Sequence, residues 1–295
     1  MAHQLRPAAA ASNLMRIDGH QHFWTTRRDD YGWLTPDLET LYRDFTPDDL
    51  QPLLDRAGVD HTVLVQAAAT TDETRYLLGI AEHHSMVAGV VGWVDMDSPT
   101  GAFEALDEFV QHPKFVGVRP MIQDIEDPAW IDRPELKIVL EALVRSNVCF
   151  DALVRSVHLP FLLNCLTRHP DLRVVIDHGA KPNIAAGEWQ PWTDNIAAIA
   201  NRTAAYCKVS GLITEADRSQ TYDDVMPYLD YLLDMFGPER LIWGSDWPVL
   251  NLAGDYEHWH AASTNRLKQL AVQDQENILG RNAIRFYGLP TGTGQ

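Results

Sequence analysis

Met15-Arg-Ile-Asp-Gly-His-Gln-His-Phe-Trp24 is the first stretch of the chain that predicts a strand, and it ends in a His-x-His pair. Side chains on a strand alternate between its two faces, so Asp18, His20 and His22 are predicted to share one face. Two imidazoles spaced in this way can reach one point in space, and neutral imidazole is the commonest metal ligand. Alone, a His-x-His pair is a weak signal, and two ordinary loop histidines are the alternative.

Short apolar runs alternate with helical patterns along the rest of the chain, which predicts a parallel sheet with helical crossovers. The further strands are predicted at 61–66, 87–93, 115–119, 148–154, 172–178, 205–210 and 240–244. The helices between them are predicted at 46–58, 72–84, 99–110, 133–146, 159–169, 192–201 and 222–236, followed by two short helices. Runs such as Val174-Val-Ile176 are apolar throughout, which is typical of strands buried on both faces.

Eight such units favour a (β/α)8 TIM barrel, a fold of about 250 residues, with a long loop (25–45) after strand one and extra C-terminal helices. The structural alternative is a doubly wound open sheet. That fold usually carries a glycine-rich phosphate loop after its first strand, where this chain has His20-Gln-His22. We predict one barrel over residues 15–289, a disordered tail at 1–14 and a frayed end at 290–295.

The composition limits the classes of partner. The formal net charge is -17, which argues against nucleic acid, because binding to phosphates depends on Lys and Arg. No apolar run approaches the roughly 18 residues of a membrane-spanning helix. The three cysteines are scattered and fit neither a zinc site nor a disulfide framework, so we expect a cytoplasmic protein. Whether it forms a homo-oligomer stays open at this point.

Polar side chains stand where the predicted strands end. In a barrel these carboxyl ends meet at one face, which carries the chemistry. The residues expected there are His20, His22, Gln66, Trp93 or Asp95, Arg119, Asp151, His178, Lys208 or Ser210, and Asp246. Scattered core histidines have no reason to cluster in this way, so the pattern predicts an active site.

The order of these residues resembles the amidohydrolase superfamily of metal-dependent hydrolases, of the amidohydrolase-2 type. The resemblance rests on His-x-His, the strand-four arginine, Asp-His-x-x-Lys-Pro at strand six and Gly-Ser-Asp-Trp-Pro at strand eight, and it runs from Met15 to Leu289. Finer motifs look like the sugar-lactonase branch: His20–Trp24, Gly117–Asp124, Lys208–Ala216 and Ser245–Pro248. The resemblance implies a hydrolase that opens an aldonolactone, such as L-fucono- or L-rhamnonolactone.

The chain departs from the superfamily's two-metal pattern, which has a carboxylated lysine after strand four and a histidine after strand five. Here strand four ends in Arg119, and the nearest histidine to strand five is His158, at a helix start. The resemblance therefore implies one divalent ion, zinc first of all, held by His20, His22, His178 and Asp246. Relatives of this branch that work without metal leave metal-free catalysis as the alternative.

Opening a lactone requires a water nucleophile, a base for its proton and stabilisation of the oxyanion. We predict Asp246 as the general base, with His178 and Arg119 also catalytic. The predicted substrate-binding residues are Trp24, Gln123, Lys181, Lys208 and Trp247. Core packing is the alternative for the two tryptophans, and ion pairs are the alternative for the two lysines and the arginine. Competing functions are a metal-dependent decarboxylase of an unsaturated or aromatic acid, and a barrel that binds a sugar acid without turnover.

Overall fold

The computed structural model describes residues 15–290, and within that range eight parallel strands form one sheet in the order β1 to β8. The strands are β1 (Ile17–Gln21), β2 (His61–Val65), β3 (Val87–Gly92), β4 (Phe115–Val118), β5 (Cys149–Ala152), β6 (Val174–Ile176), β7 (Tyr206–Val209) and β8 (Leu241–Trp243). Each strand pairs with the next one along the chain. This arrangement confirms the predicted (β/α)8 barrel and excludes the open doubly wound sheet.

Helices follow the strands around the outside of the barrel. They are α1 (Pro47–Ala57), α2 (Thr71–His83), α3 (Pro99–Phe109), α4 (Lys137–Arg145), α5 (Leu159–Arg168), α6 (Trp192–Arg202), α7 (Tyr222–Phe236), α8 (Tyr256–Leu267), α9 (Val272–Glu276) and α10 (Asn282–Tyr287). Side-chain caps begin two of them, because Thr70 accepts a hydrogen bond from the Glu73 amide and Asp255 accepts one from the His258 amide.

The first and last strands meet just beyond their carboxyl ends. The His22 amide donates to the Trp247 carbonyl at 2.7 Å, and the Asp246 amide donates to the His20 carbonyl at 2.8 Å. These two hydrogen bonds fix the His-x-His segment directly against the segment that carries Asp246. Two motifs far apart in sequence therefore become neighbours through the closure of the barrel.

The core has an outer layer between strands and helices and an inner layer inside the barrel. The inner layer consists of Ile17, Val63, Val65, Ala88, Val91, Val116, Cys149, Val175 and Ile242, together with Ala283, Phe286, Tyr287 and Leu289 from the C-terminal segment. The last four residues show that α10 and the turn after it cover the amino end of the barrel. The interior of the barrel is consequently closed at its amino end.

Three elements differ from their predicted form. The strand predicted at 172–178 ends at Ile176, and His178 lies in the turn that follows. The helix predicted at 133–146 begins as a 3-10 turn at Pro134–Leu136, and α4 starts at Lys137. The two short helices predicted after β8 are the longer α8, followed by α9 and α10 with a π-helical turn between them.

The long loop at 25–45 is present as predicted, without a helix or strand of its own. The expectations for residues 1–14 and 291–295 lie outside the described residues. Within residues 15–290, no helix has the length and apolar character needed to cross a membrane. The domain limits, the cytoplasmic location and the oligomeric state remain predictions.

Candidate active site

A cavity of about 220 Å³ opens at the carboxyl ends of the strands. Its polar lining residues are His22, Arg119, Gln123, Asp124, His178, Lys181 and Asp246, and its apolar lining residues are Trp33, Ala67, Met121, Leu153 and Val249. It lies at the face where (β/α)8 barrels carry their active sites. The polar side and the apolar side together suit a small polar ligand that has one apolar face.

Three imidazoles surround the Asp246 carboxylate at the floor of this cavity. From Asp246 Oδ1 the distance is 3.4 Å to His22 Nε2, 3.7 Å to His20 Nε2 and 3.8 Å to His178 Nε2. The Nε2 atoms of His20 and His22 are 3.2 Å apart. The structure therefore brings together the four residues predicted as metal ligands.

The far side of each imidazole ring is held by the barrel. His22 Nδ1 lies 2.8 Å from the Val65 carbonyl, and because a carbonyl only accepts, Nδ1 carries the hydrogen and Nε2 is free toward the cavity. His178 Nδ1 contacts the Ser210 hydroxyl at 2.9 Å. These contacts fix the orientation of both rings, as the outer contacts of metal-binding histidines commonly do.

Burial and the neighbouring charges set the protonation of this cluster. Burial alone raises the pKa of Asp246, but the surrounding imidazoles, His178 first, outweigh it and hold that pKa below its usual range. Burial lowers the pKa of His178 to about 4, although the Asp246 charge opposes the change. Burial lowers the pKa of His22 as well. At neutral pH the carboxylate is ionised and these imidazoles are neutral.

The backbone around the cluster is unusual. His178, Ala180, Lys181 and Asp246 all have φ between 50° and 62°, in the left-handed region that non-glycine residues rarely adopt. Such conformations persist where the surrounding structure enforces them, and they concentrate at functional sites. Gly211 is required here too, because a Cβ at that position would lie 2.5 Å from His178 Nδ1.

Arg119 reaches the same cluster from the end of β4. Its Nη2 donates to the Gln66 carbonyl, and its Nη1 lies 3.4 Å from His20 Nε2 and 3.5 Å from Asp177 Oδ2. Its Nε is buried and has no hydrogen-bond partner among residues 15–290. A cation fixed in this way in the cavity lining can attract a negatively charged oxygen of a ligand. The alternative of an ion pair, for which Asp124 and Asp151 are candidates in the sequence, is met instead by Asp177, which the guanidinium faces.

Lys208 lies beneath the cavity and does not line it, in contrast to the prediction that it binds substrate. The side chain is fully buried, and its Nζ lies 2.5 Å from Asp151 Oδ2, 3.0 Å from Asp177 Oδ1 and 3.0 Å from His20 Nδ1. The Tyr287 hydroxyl, from α10, donates to the same Asp151 oxygen at 2.7 Å. Lys208 therefore supports His20 from below through a buried ion-pair network.

Trp24 and Trp247 are also placed away from the cavity, where the alternative of core packing applies. Trp24 is fully buried, and its Nε1 donates to the carbonyls of Leu41 and Arg43. Trp247 is 3% exposed and packs its ring edge against Phe45. The wall that these tryptophans were expected to form is supplied by Trp33 from the long loop.

Gln123 and Lys181 do line the cavity, as predicted for substrate-binding residues. Lys181 also lies 3.6 Å from Glu215, so its charge is partly paired. The sequence reasoning missed Met121, Leu153 and Val249, which form much of the apolar wall. The only signal for them was their position, one or a few residues beyond a strand end.

The donor atoms fit one zinc ion. Zinc bonds of about 2.0 to 2.2 Å in a tetrahedron place neighbouring donor atoms roughly 3.3 Å apart. The separations among His20 Nε2, His22 Nε2 and Asp246 Oδ1 are 3.2, 3.4 and 3.7 Å. On the far side of the ring, His20 Nδ1 lies 3.0 Å from Lys208 Nζ and 3.4 Å from Asp177 Oδ1. The separations of the three donor atoms that face the cavity suit a single ion.

Comparison with known proteins decides the family. The model of the Amidohydrolase family matches residues 17–289, which is most of the chain. The chain belongs to the amidohydrolase family. The resemblance seen in the motifs is thereby confirmed.

The relatives are similar along nearly their whole length. An L-fucono-1,5-lactonase of Burkholderia ambifaria is 45% identical over 95% of this chain and 97% of its own. An L-fucono-1,5-lactonase of Burkholderia multivorans is 35% identical over 94% of this chain and 97% of its own. A crystal structure of an amidohydrolase from Burkholderia multivorans with bound zinc has a TM-score of 0.87 and 34% identity, covering 94% of this chain and all of that one. These relatives support the predicted sugar-lactonase branch.

Proposed function

We propose that this protein is a hydrolase that opens the 1,5-lactone of a 6-deoxyhexonic acid of the L-fucono type. The observation that carries the proposal is the ionised Asp246 carboxylate, set among three imidazoles at the floor of a cavity of about 220 Å³. A single sugar ring suits that volume, which is below the roughly 300 to 1,000 Å³ of cavities for drug-sized ligands. The two lactonases from Burkholderia support the reaction class.

The reaction requires two proton transfers, from water to a base and from that base to the ring oxygen of the lactone. Asp246 accepts a proton from water as the water oxygen bonds to the lactone carbonyl carbon. The positive charge of Arg119, which lines the cavity, stabilises the negative charge that develops on the carbonyl oxygen. The bond between the carbonyl carbon and the ring oxygen then breaks, and Asp246 returns the proton to the ring oxygen. The product is the open-chain hydroxy acid.

His20, His22 and Asp246, with His178 beside them, would hold a divalent ion, and zinc is our first candidate because a similar amidohydrolase binds it. When bound, the ion supplies Lewis-acid polarisation of the carbonyl or lowers the pKa of a water molecule. The Asp246 backbone is held in place independently of any ion by the hydrogen bond from its amide to the His20 carbonyl. Assays with and without chelator therefore test the metal requirement separately from the role of Asp246 as base.

We expect elemental analysis of the purified protein to find at most one tightly held metal ion per chain. The reason is the donor set: Arg119 follows β4 where the two-metal pattern has a carboxylated lysine, and no histidine directly follows β5. His22→Ala should lower the metal content, and Glu215→Gln, a change outside the donor set, should not. Two equivalents in the parental protein would contradict this prediction.

The lining of the cavity favours a 6-deoxy sugar over a dicarboxylic one. Trp33, Met121, Leu153 and Val249 offer apolar surface for a methyl group. Of the two cations at the cavity, Lys181 is partly paired with Glu215 at 3.6 Å, and Arg119, which also contacts Asp177 at 3.5 Å, is the one that we assign to the lactone carbonyl. A second carboxylate on the substrate would therefore find no free cation in the cavity lining.

We expect 6-deoxyhexonolactones to be hydrolysed with kcat/KM at least about tenfold higher than carboxylated lactones, a difference of roughly 1.4 kcal/mol in transition-state binding. A pH-indicator assay with both substrate classes, with and without chelator, measures this ratio. Val249→Thr keeps the shape of the side chain and adds a hydroxyl, so it should narrow the ratio. A preference for dicarboxylic or sulfonated lactones would reverse the assignment and make Arg119 and Lys181 an anion site.

The competing functions have weaker support. The non-catalytic barrel is disfavoured because the base and the three imidazoles are in place around one point. A decarboxylase would release carbon dioxide from a carboxylate and leave lactones intact, and the same substrate panel distinguishes it.

A further inference from the structure

A second cavity, of about 300 Å³, lies beside the active site. It is formed by the segments that follow β3 and β4, and it shares Met121 and Asp124 with the first cavity. These two side chains stand between the cavities. Methionine is unbranched and flexible, so Met121 can move without strain to join the two spaces.

Trp93, the residue after β3, is held so that its ring contributes to this second cavity. Its amide donates to Thr74 Oγ1 at 2.8 Å, and its carbonyl accepts from the same hydroxyl at 3.2 Å. The ring is half-buried and lines the cavity. Across the cavity, the Trp130 indole donates to Asp97, whereas the Trp93 indole makes no hydrogen bond within residues 15–290. Trp93 therefore offers a flat apolar face and a free N–H donor.

The charges that line the second cavity favour a neutral ligand over an anionic one. Asp95, Asp97 and Asp124 line the second cavity, and no Lys, Arg or His does so within residues 15–290. Carboxylates accept hydrogen bonds from hydroxyl groups and repel anions. An aromatic face packs against the apolar C–H face of a sugar ring. The lining thus suits a neutral, polyhydroxylated ring.

We propose that this second cavity is a subsite for a neutral glycosyl group attached to the lactone, so that the enzyme also opens lactones of glycosylated aldonic acids. The inference rests on the proposed lactonase function, which places the lactone ring in the first cavity. The 220 Å³ of the first cavity suit one ring, and the adjoining 300 Å³ have room for a second ring. Trp93 and Asp95 are then specificity residues for the glycosyl group and take no part in the chemistry.

The test compares a 6-deoxyhexono-1,5-lactone with the same lactone carrying one neutral glycosyl residue, in isomers substituted at each ring hydroxyl. For at least one isomer, the parental kcat/KM should equal or exceed that of the unsubstituted lactone. Trp93→Ala should lower that value at least tenfold and change the unsubstituted lactone less than twofold. Trp93→Phe keeps a flat aromatic face, so its kcat/KM for the glycosylated lactone should stay within threefold of the parental value. Trp189→Ala, which removes a half-exposed tryptophan outside both cavities, is the control and should leave the preference unchanged.

Rejection of every glycosylated isomer by a parental enzyme that opens the simple lactone would overturn the subsite. An equal fall in kcat/KM for the simple and the glycosylated lactone in Trp93→Ala would also overturn it, because Trp93 would then have a structural role only. If no lactone is opened, the proposed function fails. The subsite is then tested by calorimetry, which measures the Kd of the ring-opened glycosylated aldonates. Binding weakened at least tenfold by Trp93→Ala then supports the subsite, and an unchanged Kd overturns it.

Discussion

Asp246→Asn is expected to fold normally and to lose at least about a hundredfold in kcat, the low end for removal of a general base. The amide has the same shape as the carboxylate but cannot take up the proton of the attacking water. Asparagine also tolerates the left-handed backbone at this position, where φ is 60°. Steady-state kinetics on the lactone, with circular dichroism to verify folding, measure the effect.

Asp124→Asn is the matched control, since it makes the same chemical change in the lining of the same cavity. Its kcat should fall less than tenfold, because the Asp124 carboxylate lies outside the histidine cluster. Near-parental turnover of Asp246→Asn would remove Asp246 from the mechanism. An equal loss of kcat in both variants would show that turnover depends on the total negative charge of the cavity and not on one general base.

The barrel could be predicted from the sequence because its signals are local and repeated. Apolar runs such as Thr62-Val-Leu-Val65 are typical of strands buried on both faces, and the structure places β2 there. Helix α7 begins at Tyr222 and ends at Phe236, as predicted, and it is followed by Gly237-Pro238, which is a typical helix end. The convergence of His20, His22 and Asp246 followed from the fold, because every strand of a barrel ends at the same face.

The position of His178 could not be predicted in the same way. The sequence suggested a strand that continues to this residue, but β6 ends at Ile176 and a left-handed turn follows. Apart from Gly179, the residues of that turn have no glycine-like freedom, so their sequence carries no sign of positive φ. The turn exists because tertiary contacts enforce it, among them the hydrogen bond from Trp192 Nε1 to the Gly179 carbonyl.

Whether a side chain lies in the core or faces the cavity could not be predicted from the sequence either. A tryptophan that follows a strand can face a cavity or the core, and hydrophobicity does not distinguish the two. Trp24 turns into the core because the long loop supplies two carbonyls for its indole, while Trp33 from that loop donates to the Ala67 carbonyl at the cavity edge. These partners are fixed by how the loop folds over the barrel, which no local pattern determines.

Lys208→Met is expected to lower the free energy of unfolding by about 3 to 5 kcal/mol, the usual cost of removing one partner from a buried ion pair. Lys208, Asp151 and Asp177 are all fully buried. Lys208 Nζ lies 2.5 Å from Asp151 Oδ2 and 3.0 Å from Asp177 Oδ1. Methionine fills most of the space but leaves the Asp151 carboxylate without a cation and Asp177 with only the Arg119 guanidinium, 3.5 Å away. Urea denaturation followed by circular dichroism measures the loss.

Two further variants test whether the loss comes from the buried charges. In Lys208→Met/Asp151→Asn one of the two carboxylates becomes neutral, so part of the lost stability should return. Lys181→Met makes the same change at the less buried pair with Glu215, where about 1 kcal/mol or less is expected. If Lys208→Met instead kept its parental stability and raised only KM, Lys208 would bind substrate after all. The predicted pattern, a large stability loss with partial recovery, requires that Lys208 neutralise the buried acids under His20.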